Sequence, residues 1–131
     1  MPTLGHATAT GPRVVHWATE ITGAGHTNTA DEPPPEGAGA GLGPFSLLMA
    51  SLAACTDITV RMYAERKGWP LERVDVDCTY TREGEQDSIA RTLTLDGDLD
   101  DEQRARLADI AERTPVTLVV KRATPVETTL S

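Results

Sequence analysis

The run from Gly43 to Pro70, GPFSLLMASLAACTDITVRMYAERKGWP, constrains the fold more than any other part of the chain. Pro44 suits a first helical position, and Gly68 followed by Pro70 suits a helix end. The run therefore predicts a helix over residues 44–67, about 36 Å long. Its first half is apolar on every side, which predicts burial on every side. A chain of 131 residues has little room to enclose such a helix, so we expect a homodimer.

The rest of the chain predicts one α+β domain, residues 1–131, with helices packed on antiparallel sheet. Upstream we expect a loosely ordered segment over 1–11 and a strand over 13–22. A Gly/Pro-rich connection follows over 23–43 and includes a short strand at 26–30. Downstream, alternating residues predict a hairpin of strands 71–83 and 88–97. A helix is expected over 100–113, and one broken strand or two short ones over 116–130. Asp100 and Gln103 suit a capping box at the start of the second helix.

Charge and composition exclude several classes of protein. The net charge of −8 argues against nucleic acid and anionic membranes as partners. No uninterrupted run of 18 apolar residues and no signal peptide are visible, so we expect no membrane helix and a cytoplasmic protein. The two cysteines fit no zinc pattern and are expected to be free thiols. His26 and Asp31 are interpreted as solvated loop groups, so no metal is predicted.

Three segments carry a resemblance to a known family. GLGPFSLLMASLAACTDITVRMYAERKGWPLERVDVDCTY, the preceding DEPPPEGAGAGLGP and the later IAERTPVTLVV resemble the osmotically inducible protein C and organic hydroperoxide resistance superfamily (OsmC/Ohr), in its OsmC-like branch. The resemblance covers roughly residues 12–131. It implies an intertwined homodimer with central helices buried between sheets and active sites at the dimer interface.

The resemblance also implies a site. Active members reduce organic hydroperoxides through a cysteine of the central helix, which is Cys55 here, and an arginine and a glutamate hold that thiol. A second cysteine, in a Cys-Pro step, resolves the oxidised thiol. This sequence departs at two places, because Phe45 replaces the glutamate and Thr114 replaces the second cysteine. The family's arginine falls on Arg13.

The residues themselves leave the thiols open to two interpretations. A lone cysteine in an apolar helix is most often core packing, and only its place in the family points Cys55 to chemistry. Cys78 is interpreted as a buried core thiol, with a substitute resolving role as the alternative. Arg91 lies on the inward face of its strand and is a second candidate cation, although we expect its stem to run along the core and its head to reach water near a strand end.

Two functions follow as hypotheses. The first is a one-cysteine peroxidase with catalytic Cys55 and Arg13, no bound cofactor and an external thiol as reductant. Its substrate would enter an apolar pocket formed by Phe45, Leu48, Leu52 and Trp17. The second is a catalytically weak or inactive protein that binds an apolar small molecule at the dimer interface.

Overall fold

A computed structural model describes residues 2–131 and divides the chain into two compact units, one ending at Leu48 and one beginning at Met49. The first unit contains an antiparallel sheet of three strands in the order β1-β2-β3: Thr8–Thr10, Thr19–Gly23 and His26–Ala30. The strand expected at 26–30 is confirmed. The strand expected from residue 13 is wrong in its first half, because Arg13–Val15 form a 3-10 turn and His16 has a φ of 55°. Residues 8–10, expected to be loose, pair with β2.

The Gly/Pro-rich connection after β3 is organised by a buried carboxylate. Asp31 is only 4 % exposed, and its Oδ1 accepts the Glu32 N–H at 2.8 Å. Its Oδ2 accepts the N–H groups of Ala38 and Ala40 at 3.3 and 3.1 Å. A Cβ at Gly41 would collide with a backbone carbonyl, so glycine is required there. The interpretation of Asp31 as a solvated loop group is therefore wrong: the loop wraps around it.

The central helix, α1, spans Pro44–Lys67 as predicted. The Gly43 carbonyl accepts the first intrahelical bond, from the N–H of Leu47, as an N-cap residue should. At the other end Gly68 has a φ of 71°, and the N–H groups of Gly68 and Trp69 close back onto the last turn. This pattern is a Schellman motif, which explains why the helix stops where the glycine stands.

The second unit builds its core between α1, a hairpin and a second helix. The hairpin consists of β4, Leu71–Glu83, and β5, Gln86–Gly97, and the helix is α2, Asp101–Ala111. The predicted capping box of Asp100 and Gln103 is present. The core cluster comes from all these elements and the loop before α2: Val60, Ala64, Val74, Leu99, Leu107 and Ala111. The expected α+β fold, with antiparallel sheets and a long helix, is confirmed.

The expected strand or strands over 116–130 are wrong. Residues Pro115–Lys121 form a short helix, α3, and residues 124–131 have no regular structure. The β-branched run VTLVV favours a strand, but Thr114 caps the helix by accepting the Thr117 N–H at 3.2 Å. Pro115 then occupies the first turn, where its fixed φ favours a helix. The local start signal outweighs the propensity of the run.

Helix α1 also has the length and composition of a membrane span, with a mean hydropathy of 1.3 over 18 residues. A core helix of a soluble protein can have the same length and hydropathy. The expectation that the chain has no membrane helix stays a prediction.

Candidate functional site

Cys55 lies on a face of α1 that its own chain leaves partly uncovered. The thiol is half-buried and free, and its Sγ lies 3.9 Å from the Oγ1 of Thr59. Ile58 and Met62 are 49 % and 57 % exposed. Ser51, Cys55, Ile58 and Met62 follow the 4-3-4 spacing of one helix face. The thiol therefore belongs to an accessible and mainly apolar stripe, which we call the Cys55 stripe.

The opposite face of α1 contacts an arginine whose side chain is mostly buried. Arg91 lies in the middle of β5, and its side chain is only 12 % exposed. Its Nη1 donates to the Oγ1 of Thr56 at 3.0 Å and to that of Thr117 at 2.9 Å. Its Nη2 lies 2.6 Å from a carboxylate oxygen of Glu112. The expectation of a head group in water near a strand end is therefore wrong, because three elements hold Arg91 inside the second unit.

Three buried threonines complete this network. Thr56, Thr114 and Thr117 are at most 3 % exposed. The hydroxyl groups of Thr114 and Thr117 lie 2.6 Å apart, and Thr117 also donates to the carbonyl of Ala111 at 3.1 Å. A chain of hydrogen bonds thus runs from Thr114 through Thr117 and Arg91 to Thr56, the residue next to Cys55. The position where the resemblance expects a thiol is occupied by a hydroxyl that caps α3 and helps to hold this network.

A cavity of about 500 Å³ opens beside the network. Leu52 of α1, Ile89 of β5 and Val120 of α3 form its apolar wall. Its charged lining comes from Arg91, Glu112 and Lys121, and from Asp87, whose carboxylate is paired with Arg82. The Lys121 Nζ lies 3.6 Å from a Glu112 carboxylate oxygen. The sequence does not predict this cavity, because part of its lining, Thr117, Val120 and Lys121, belongs to α3, where the β-branched run predicts a strand.

Cys78 faces Arg91 directly across the hairpin. Burial raises the pKa of the Cys78 thiol, the Arg91 charge lowers it and Asp77 raises it further. The net rise leaves little thiolate at neutral pH, and the thiolate is the attacking form. The interpretation as a packed thiol remains the better one, and the resolving role gains no support.

Except for Leu52, the remaining predicted site residues lie in the first unit. Arg13 and Trp17 line one surface depression with Gly11, His16, Ala18 and Thr19. Phe45 and Leu48 occupy the first turns of α1 and are 52 % and 40 % exposed. Leu52 is buried instead and faces the cavity of the second unit. Whether Arg13 approaches Cys55 stays a prediction. Within residues 2–131 no three His, Cys, Asp or Glu side chains cluster as metal ligands would.

Solved structures share this architecture. An OsmC-like protein from Mycoplasma pneumoniae matches with a TM-score of 0.80 at 18 % identity, covering 92 % of this chain and 89 % of that one. The organic hydroperoxide resistance protein OhrB of Bacillus subtilis matches with a TM-score of 0.62 at 24 % identity, covering 91 % of each chain. An organic hydroperoxide resistance protein OsmC from Legionella pneumophila matches with a TM-score of 0.68 at 20 % identity, covering 91 % and 90 %. The chain has the OsmC-like fold.

The family model for OsmC-like protein matches residues 37–129, which include α1, the hairpin and both later helices. This chain therefore belongs to the OsmC-like protein family, as the central sequence run predicted. No curated protein matches the sequence significantly.

Proposed function

We propose that this protein is a thiol peroxidase that reduces organic hydroperoxides through the single thiol of Cys55. One observation carries the proposal: Cys55 is free and half-buried on the partly uncovered stripe of α1, within the segment that matches the family. Two of the similar structures are organic hydroperoxide resistance proteins. The apolar neighbours Ile58 and Met62 favour an organic hydroperoxide over hydrogen peroxide.

In the proposed reaction the Cys55 thiolate attacks the terminal oxygen of the hydroperoxide. The S–O bond forms as the O–O bond breaks, and the alkoxide leaves and takes up a proton to become the alcohol. Cys55 is then a sulfenic acid. One external thiol condenses with it to a mixed disulfide and releases water. A second external thiol reduces that disulfide, restores Cys55 and leaves as the disulfide of the reductant.

The external reductant is proposed because neither other candidate supplies a resolving thiolate. Thr114 carries a hydroxyl, and burial raises the pKa of the Cys78 thiol, so little of it is thiolate at neutral pH. For the cation beside the reacting thiol we propose Arg13, as the resemblance implies, with Phe45, Leu48 and Trp17 as apolar substrate contacts.

We also propose that the active form is a homodimer. The 18-residue apolar window of α1 is only 22 % buried in one chain, and Ile58 and Met62 leave apolar surface uncovered. A second copy would remove that surface from water. Sedimentation of the purified protein tests this, and a monomer at micromolar concentration would contradict it.

The function is tested by stopped-flow kinetics with cumene hydroperoxide and dithiothreitol. We expect turnover by the wild type and none by Cys55→Ser, whereas Cys78→Ser, which removes the other thiol, keeps the wild-type rate. If the wild type consumes the hydroperoxide no faster than Cys55→Ser, the protein is not a peroxidase.

The alternative is a binding protein without turnover, and the cavity beside Leu52 is the observation that favours it. Thermal-shift measurements with apolar small molecules test this alternative. Stabilisation without peroxidase turnover would support it, and turnover with no stabilisation by any ligand would remove it.

A further inference from the structure

In the cavity of the second unit, a mostly buried arginine is paired with a mostly exposed carboxylate. The Arg91 side chain is 12 % exposed, whereas its carboxylate partner Glu112 is 59 % exposed. Two threonine hydroxyls, from Thr56 and Thr117, fix the Nη1 side of the guanidinium, so that its Nη2 is aimed at Glu112. The Arg91 guanidinium is therefore held in place by the protein, whereas the Glu112 carboxylate is largely exposed to solvent.

A second cation shares the same carboxylate. The Lys121 Nζ lies 3.6 Å from the Glu112 Oε1, and it also donates to the backbone carbonyl of Glu112 at 3.3 Å. Each carboxylate oxygen of Glu112 thus faces one cation, Oε1 towards Lys121 and Oε2 towards Arg91. Arg91 and Lys121 together form a binding site for one carboxylate, which we call the seat. The exposed side chain of Glu112 occupies it.

We propose that this seat binds a small organic anion, one carboxylate joined to an apolar body, and that Glu112 is the internal competitor which the ligand displaces. The apolar wall of Leu52, Ile89 and Val120 lies in the same cavity as the two cations, so a ligand can satisfy both at once. A displaced Glu112 loses little, because a carboxylate that is mostly exposed is readily hydrated.

The seat is independent of the thiol chemistry. All of its residues belong to the second unit of one chain, and none of them is Cys55, so binding requires neither the reaction nor the proposed dimer. Leu52 precedes Cys55 by three residues on α1, so an occupied cavity would lie against the same helix as the thiol.

The test is calorimetric titration of Cys55→Ser protein with octanoate, and with 1-octanol as the uncharged probe of the same chain length. Glu112→Gln removes the competitor and keeps the side-chain size, so we expect octanoate to bind about two- to fivefold more tightly, the equivalent of an exposed ion pair. Lys121→Met removes one cation and should weaken binding by a similar factor. Octanol should bind the wild type and Glu112→Gln equally.

Glu102→Gln is the matched control, because it makes the same chemical change at the exposed first turn of α2, the helix whose C-cap residue is Glu112. It should leave octanoate binding unchanged. Three results would overturn the proposal: equal tightening by both glutamine variants, which reports net charge alone; weaker binding by Glu112→Gln; or no octanoate binding by wild type and Glu112→Gln alike. Because the Cys55→Ser protein lacks the thiol of the proposed peroxidase, failure here is distinct from failure of the peroxidase.

Discussion

Removing the carboxylate of Asp31 should loosen the connection that leads into α1. Asp31→Ala leaves three backbone N–H groups without their acceptor: those of Glu32, Ala38 and Ala40. All three donor residues are exposed, so water can reach the orphaned groups and each loss should fall at the low end of the usual range. At about 1 to 1.5 kcal/mol per bond, the free energy of unfolding should fall by about 3 to 4.5 kcal/mol.

Two further variants sharpen this prediction. Asp31→Asn keeps the shape, and its amide oxygen in the Oδ2 position would retain two of the three bonds, so it should cost about 1 to 2 kcal/mol. Glu36→Ala removes an exposed carboxylate from the same loop and should stay within about 0.5 kcal/mol of the wild type.

Urea denaturation followed by circular dichroism gives the global free energy, and amide hydrogen exchange over residues 31–42 gives the local one. We expect the order wild type, Glu36→Ala, Asp31→Asn, Asp31→Ala from most to least protected in that segment. If Asp31→Ala and Glu36→Ala have the same urea midpoint and the same exchange, the buried carboxylate does not hold the loop and the reasoning is refuted.

Four other outcomes are expected. Leu107→Ala, at a fully buried core position, should lower the free energy of unfolding by about 3 to 5 kcal/mol in urea titrations. In Cys55→Ser protein at pH 7.5, the remaining thiol of Cys78 should react with iodoacetamide more slowly than free cysteine, since its raised pKa leaves it protonated below that pKa; an equal rate contradicts this. Thr114→Cys should lower the free energy of unfolding by about 1 kcal/mol in urea titrations, because it removes the oxygen that caps α3; an unchanged urea midpoint would contradict this. Met62→Glu should shift sedimentation towards a monomer, and an unchanged coefficient would place the dimer contact elsewhere.

The central part of the fold could be predicted from the sequence because its signals are local. Pro44 and Gly68 bracket α1, and Asp100 with Gln103 starts α2, so each boundary is set by one or two residues whose backbone preferences are strong. The alternation of β4 likewise follows from one half-buried face.

The parts that failed depend on contacts between distant residues. Nothing within the sequence near Asp31 states that a loop will fold around it, and nothing near Arg91 states that two threonines from other helices will meet it. The helix α3 could have been predicted, since Thr114-Pro115 is a helix start signal, but the β-branched run that follows favours a strand. Of the candidate site, the sequence singled out Cys55, whose role stays a prediction. It could not predict the cavity, because distant parts of the chain form its lining.

The hydroxyl of Thr114 has a consequence for how the protein would behave over time. With a capping hydroxyl where a second thiol would stand, the proposed cycle has no intramolecular return step, so oxidation and reduction both depend on molecules that arrive from outside. The oxidised fraction of Cys55 at steady state is then set by two arrival rates, that of hydroperoxide and that of reducing thiol. The oxidised fraction of Cys55 would therefore vary with the ratio of hydroperoxide supply to thiol supply around the protein.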